Sequence, residues 1–168
     1  MPILGIIASS KKVARGVASY WAGGYNGNNT LNTIEKLTYS TNSRTTLSTY
    51  LTVLPGSPAS MANSGTAGYV LAANGGWNHD KISMSTDTQS SASTLTNAVY
   101  GSPAGLANSG TAGYYCGGYI GGVGTTRNTE KYTFSTDTAS GLGNLLTYQR
   151  QSVSGSANSG TAGYVAGG

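Results

Sequence analysis

The octapeptide Ala-Asn-Ser-Gly-Thr-Ala-Gly-Tyr occurs at 62–69, at 107–114 and again at 157–164, so successive copies stand 45 and 50 residues apart. A second block keeps the same step: Glu35-Lys36-Leu37-Thr38-Tyr39-Ser40-Thr41, Asp80-Lys81-Ile82-Ser83-Met84-Ser85-Thr86 and Glu130-Lys131-Tyr132-Thr133-Phe134-Ser135-Thr136. Two blocks recurring in step define one structural unit. Tyr20-Trp21-Ala22-Gly23-Gly24-Tyr25 matches Tyr114-Tyr115-Cys116-Gly117-Gly118-Tyr119, which sets the start of the first unit. The units then read 20–68, 69–113 and 114–163; residues 164–168 open another, and 1–19 lie outside the repeat.

Within each second block, Leu37 and Tyr39, Ile82 and Met84, and Tyr132 and Phe134 alternate with Ser or Thr, the pattern of a strand buried on one side. Ser-Thr-Asp-Thr at 85–88 and 135–138 should end that strand, because an Asp side chain bonds a backbone amide two residues on. Further β-rich stretches follow at Thr46–Leu54, Thr94–Tyr100 and Leu145–Val153. Asn-Ser-Gly-Thr turns should close each unit. Three strands per unit are visible and the length leaves room for a fourth, so the expected fold class is all-β, with propeller-type blades of about 45–50 residues.

The Gly-Gly pairs Gly23-Gly24, Gly117-Gly118 and Gly167-Gly168, each ending an apolar strand, resemble kelch repeats of β-propellers. The second unit has Ala72-Ala73 instead, and Trp21 and Trp77 do not fall where a kelch unit carries its core Trp. The wording Ser-Gly-Thr-Ala-Gly-Tyr-Val-Ala-Gly-Gly and Glu-Lys-x-Thr-Phe-Ser-Thr-Asp-Thr resembles the low-charge kelch-like repeats of tailed-bacteriophage virion proteins, and Met1-Pro2-Ile3-Leu4-Gly5-Ile6-Ile7-Ala8-Ser9-Ser10 is similar to the start of phage tail proteins. The resemblance implies a non-enzymatic virion component on a tail or fibre, assembled in the host cytoplasm and touching the host surface. A capsid-decorating, cement or head-fibre protein is the alternative, and a carbohydrate-binding propeller module is the second. A cellular kelch adaptor or sugar-oxidising propeller enzyme lacks its His, Cys and Asp chemistry here.

Charge narrows the field further. The chain has 168 residues with nine Lys or Arg, five Asp or Glu and one His. Three of the basic residues, Lys11, Lys12 and Arg15, sit in the first 19 positions, so the body carries six basic and five acidic side chains. A nucleic-acid groove needs a clustered basic stripe, and none is present there. The apolar run Ile3–Ala8 is too short to span a bilayer, and its positive charges follow it where an export signal would put them first. With one cysteine, no intrachain disulfide forms.

Candidate chemistry is sparse, and no catalytic residue, metal site or cofactor is expected. All five acids recur at repeat-equivalent positions: Glu35, Asp80 and Glu130 in one set, Asp87 and Asp137 in the other. Such repetition reads as architecture, with Glu35-Lys36, Asp80-Lys81 and Glu130-Lys131 as surface or inter-blade polar contacts. His79 has no second His to build a metal site and reads as a surface-loop residue. Cys116 reads as a small buried thiol, and Gly121-Gly122-Val123-Gly124, without the Lys of a phosphate loop, reads as a turn.

Recognition falls to loops. Tyr25–Thr33, Asn74–His79 and Tyr119–Thr129 take equivalent places, and Tyr25, Asn26, Asn28, Trp77, Asn78 and Tyr119 supply the aromatic and amide groups that bind a host-surface glycan. Residues 1–19 read as a virion-docking arm that inserts Ile3, Leu4, Ile6 and Ile7, with Lys11, Lys12 and Arg15 behind, into a neighbouring virion protein. Propellers use four to eight blades. Three units leave two faces open, so the ring is expected to be completed by another copy of the chain, a two-fold pair giving six blades. A trimeric fibre and a longer parent chain cut at Gly168 are the rivals.

Overall fold

A computed structural model describes residues 18–52, 57–71, 78–97, 101–158 and 160–168. They form β-strands, turns and bends, with no helix among them. The fold class is therefore all-β, arranged as several small antiparallel sheets. The first sheet has β1 (Ala18–Ala22), β2 (Thr33–Thr38) and β3 (Ser43–Tyr50). The second has β4 (Ala59–Asn63), β5 (Ala67–Leu71), β6 (His79–Ser83) and β7 (Gln89–Ser91), in that order. The third has β8 (Ala104–Asn108), β9 (Ala112–Cys116), β12 (Asn128–Thr133) and β13 (Thr138–Asn144) side by side. A small hairpin, β10 (Tyr119–Ile120) and β11 (Gly124–Thr125), lies within its β9–β12 connection. The pair β14 (Val153–Asn158) and β15 (Ala162–Gly167) begins a fourth sheet.

Sheet boundaries fall one strand upstream of the repeat boundaries read from sequence. The octapeptide does not close a unit: it is the turn of a hairpin, β4–β5, β8–β9 or β14–β15. In the first two of these turns the Thr amide bonds the Asn carbonyl, Thr66 to Asn63 at 2.9 Å and Thr111 to Asn108 at 3.0 Å. The glycine between them, Gly65 or Gly110, takes a φ of 75° or 84° that only glycine adopts without cost. The fourth strand anticipated from length is thus the one before the octapeptide.

The outer strands also differ from expectation. The Asp residues of Ser-Thr-Asp-Thr stand at left-handed φ, 56° for Asp87 and 50° for Asp137, which reverses the chain at once. The outer strands β7 and β13 therefore follow directly. Of the three stretches read as strands, the first overlaps β3 and the third meets β14 only at its last residue, Val153; residues 94–97 and 145–152 form connections, and 98–100 lie outside the described residues. Polar, glycine-containing β13 carries no apolar alternation because it is a largely exposed outer strand.

The strands β6 and β12 are buried on both faces rather than one, and β2 is buried on the face that carries Ile34. Ile82 and Tyr132 are buried on one face, while Ile34, His79 and Thr129 are buried on the other. The reason is stacking: each sheet is covered by the next. Tyr69, Leu71, Tyr115, Tyr132 and Phe134 form one core between the second and third sheets, and Ile34, Val70 and Ile82 form another between the first and second. First strands pack on each other, β4 on β8 and β8 on β14. A Cβ on Gly105 would lie 2.0 Å from the Ser60 carbonyl oxygen, and one on Gly155 would lie 2.6 Å from that of Gly105. Glycine at these places sets the spacing of the stack.

Candidate functional site

The side chains with chemistry converge where one sheet meets the next. In the strands β2, β6 and β12 the acid and its neighbouring lysine point to opposite faces, as period two requires, so Glu-Lys and Asp-Lys neighbours do not pair with each other. Asp80 is 1% exposed and accepts hydrogen bonds from the Thr52 amide (2.8 Å), the Thr52 hydroxyl (2.7 Å) and Gln89 Nε2 (2.6 Å). Thr52 lies in the connection leaving the first sheet. Glu130 does the same one unit later, accepting from the Thr96 amide at 3.2 Å and from Asn97 Nδ2. Glu35, in the first sheet, pairs instead with Arg44 at 2.7 Å. These carboxylates are buried anchors for the preceding unit's exit, not surface charges, in the second and third sheets.

The second set of acids makes a polar clasp across each interface. Asp87 accepts Tyr20 Oη at 2.7 Å and Lys36 Nζ at 2.7 and 2.9 Å. Asp137 accepts Tyr69 Oη at 3.1 Å and Lys81 Nζ at 2.6 Å. Tyr20, Tyr69 and Tyr114 are repeat equivalents, as are Lys36, Lys81 and Lys131. Each clasp runs from the Tyr and Lys of one sheet to the Asp in the next sheet's turn. Burial pushes both Asp carboxyls up, but hydrogen bonds from the lysine and tyrosine outweigh it and hold them below the ordinary 3.8.

His79 is a correction to the surface-loop reading. It sits in β6, 2% exposed, at the position Ile34 and Thr129 occupy in the neighbouring sheets. Its Nε2 is 2.8 Å from Tyr115 Oη, and the rings of Tyr69, Tyr115 and Tyr132 surround it with centroids 5.5, 5.3 and 4.6 Å away. Burial lowers its pKa from 6.5 to about 4, opposed by the Ser93 backbone and Asp137, so it is neutral at pH 7. The sequence signal for this was present in the repeat alignment, which equates His79 with apolar Ile34. Cys116 is 5% exposed, and burial pushes its thiol up, with Thr129 acting the other way.

The loop residues are less concentrated. Tyr25 is exposed, and its hydroxyl bonds the Gly27 carbonyl at 2.9 Å. Asn26 Oδ1 accepts the Asn28 and Asn29 amides at 3.0 and 2.8 Å, so its carbonyl is spent on its own turn. Asn78 is exposed just before β6, and Tyr119 begins β10. These loops join equivalent strands, but none of the cavities described here is lined by Tyr25, Asn26, Asn78 or Tyr119. Trp77 and the arm residues Ile3, Leu4, Ile6, Ile7, Lys11, Lys12 and Arg15 lie outside the described residues.

Two cavities sit on the stack itself. One, of about 510 Å³, opens beside β1 against β4, lined by Tyr20, Trp21, Met61 and Met84 among others. The other, of about 370 Å³, lies between the third sheet and β14–β15, with Tyr114, Cys116, Thr129, Leu146 and Val165 in its wall.

No family model matches the chain, and no curated protein matches it. Among solved structures it is similar to one described as the structure of YjhT, at a TM-score of 0.63 and 14% identity, over 79% of this chain. The chain spans about half of that protein, 51% of its length. A likeness at this identity speaks to the fold alone.

Proposed function

We propose that this chain is a non-enzymatic structural module of a bacteriophage virion, a tail or fibre component whose sheets are propeller-type blades and whose ring is completed by another polypeptide. The observation that carries the reading is the use made of its charges. All five carboxylates are engaged in tying strands or successive sheets together: Glu35 to Arg44, Asp80 to Thr52, Asp87 to Lys36, Glu130 to Asn97 and Asp137 to Lys81. A general acid or base needs a carboxyl free to meet a substrate, whereas a chain whose work is assembly spends them on packing. Four-stranded antiparallel sheets stacked face to face, with first strands adjacent, support the blade reading. The repeat wording, which resembles that of tailed-phage virion proteins, supports the particle.

Quantitative mass spectrometry of purified particles from the source lysate tests this. Tens of copies or fewer per particle fit the tail or fibre; hundreds would move the chain to the head surface. Absence from particles refutes the reading.

A further inference from the structure

One interface of the stack carries a titratable pair where its neighbour is apolar. In the repeat register His79 of β6 takes the place of Ile34 in β2, and Tyr115 of β9 takes the place of Val70 in β5. Ile34 and Val70 belong to the core between the first and second sheets. His79 Nε2 meets Tyr115 Oη at 2.8 Å between the second and third, each of which has all four of its strands. His79 is 2% exposed, and its Nδ1 makes no hydrogen bond. An imidazolium donates from both ring nitrogens, so a proton arriving here leaves one donor unanswered in a dry site. The ring cannot swing out alone to find water. Its strand β6 is bonded to β5 on one edge, with Leu71 opposite His79, and to β7 on the other. Solvating the ring therefore requires the neighbouring sheet to move off it.

We propose that the interface between the second and third sheets is an acid-operated joint: protonation of His79 parts these two sheets around the ring, while the interface before it, built on Ile34 and Val70, stays shut. The phenols against the ring, Tyr69 from β5, Tyr115 from β9 and Tyr132 from β12, are all pushed up by burial and stay neutral. Asp137, in the β12–β13 turn, favours the proton but is itself bonded to Tyr69 and Lys81 and held below 3.8. The Ser93 backbone favours it too, without closing a hydrogen bond on Nδ1. Glu130 of β12 is turned onto Thr96 and Asn97, and Asp80 of β6 onto Thr52. The hinge is the set of links that cross the same interface away from the ring. These are the Asp137 clasp and the turn contacts from the Ser64 amide to Ser109 Oγ and from the Gly110 amide to Asn63 Oδ1, both 2.8 Å. The proposal stands on the packing and not on the virion assignment, so a chain absent from particles leaves it in place.

Thiol labelling of the full chain reads the joint. In a Cys116→Ser background, Ala59→Cys puts a reporter in the core between the second and third sheets, and Val70→Cys puts one in the core between the first and second. Leu71→Cys is a second reporter of the joint should the first fail to fold. Each rate with dithiodipyridine, divided by that of a short cysteine peptide at the same pH, gives the opening equilibrium. With the ring at 6.5 when open and about 4 when closed, opening at Ala59→Cys should rise about 30-fold from pH 8 to pH 5. That rise should depend only weakly on added urea, because parting two intact sheets exposes little surface. Val70→Cys should label only through steeply urea-dependent unfolding. His79→Gln, which keeps a partner for Tyr115, and the transplanted pair His79→Ile with Tyr115→Val should each remove the rise. No rise at Ala59→Cys, or a rise that persists in His79→Gln, overturns the proposal. So does a rise as steep in urea as labelling at Val70→Cys, which would mean that acid unfolds the whole stack.

Discussion

Acid should destabilise this fold through His79 before it reaches Asp87 and Asp137. The imidazole is neutral when folded, with its pKa lowered from 6.5 to about 4, and recovers the ordinary value on unfolding. A group of lowered folded pKa that is cationic when protonated makes the unfolded state the better proton binder below pH 6.5, so stability falls as pH drops from 6.5 to about 4 and levels off beneath. A difference of about 2.5 units at ~1.4 kcal/mol each is about 3.5 kcal/mol. The groups packed on the ring are Tyr69 from β5, Tyr115 from β9 and Tyr132 from β12, with Asp137 beyond them; burial raises all three phenols, so they stay neutral and do not titrate in this window. Asp87 and Asp137, held below 3.8, lose their contribution only at lower pH. Urea midpoints measured at half-unit steps from pH 4 to 8 should show the loss in the natural chain and a nearly flat profile in His79→Gln, whose amide still meets Tyr115 Oη. Parallel profiles for the two proteins across pH 4–6.5 would refute the argument that the fold holds this ring neutral.

Three further outcomes follow from the stack. Asp80→Ala leaves the Thr52 amide and hydroxyl and Gln89 without their buried acceptor and should cost about 3 kcal/mol by urea unfolding. Asp137→Asn, whose carboxylate is 42% exposed, should cost only about 1 kcal/mol and less in high salt. Gly105→Ala drives a Cβ to 2.0 Å from the Ser60 carbonyl oxygen and should cost at least ~3 kcal/mol or prevent folding, while Gly110→Ala, with open space and φ 84°, should cost about 1 kcal/mol in the same assay.

The repeat made the fold class and the middle strands legible, because identical wording at a fixed step has one economical structural meaning. Outer strands were not, since β7 and β13 are polar and largely exposed, and nothing in their composition distinguishes them from loops. Stacking itself hid from a one-sheet reading. Period two assigns Ile82 and Tyr132 to a buried face, but the opposite face holds His79, Thr129 and lysines, which look solvated until a neighbouring sheet is placed over them. His79 was misread for that reason: its partner Tyr115 lies 36 residues away, and only the alignment with Ile34 pointed inward. Asp87 was read as a turn-former, which its φ bears out, yet the same side chain also reaches Lys36 in the preceding sheet.

That double use of one residue gives the stack a direction. Left-handed φ at Asp87 and Asp137 turns the chain, and the carboxylate so presented faces backward onto the Tyr and Lys of the sheet before. Asp80 and Glu130 also reach backward, to the exit loops of the preceding unit. Every polar link described between successive sheets through an acid therefore runs from a later unit to an earlier one. The first sheet has no earlier unit to grip among the described residues, and there the pattern lapses: Asn42 replaces the Asp, and Glu35 turns to Arg44 on its own sheet. An interface of this kind joins unlike surfaces, and heterologous contacts close into rings or extend into filaments according to the rotation per unit.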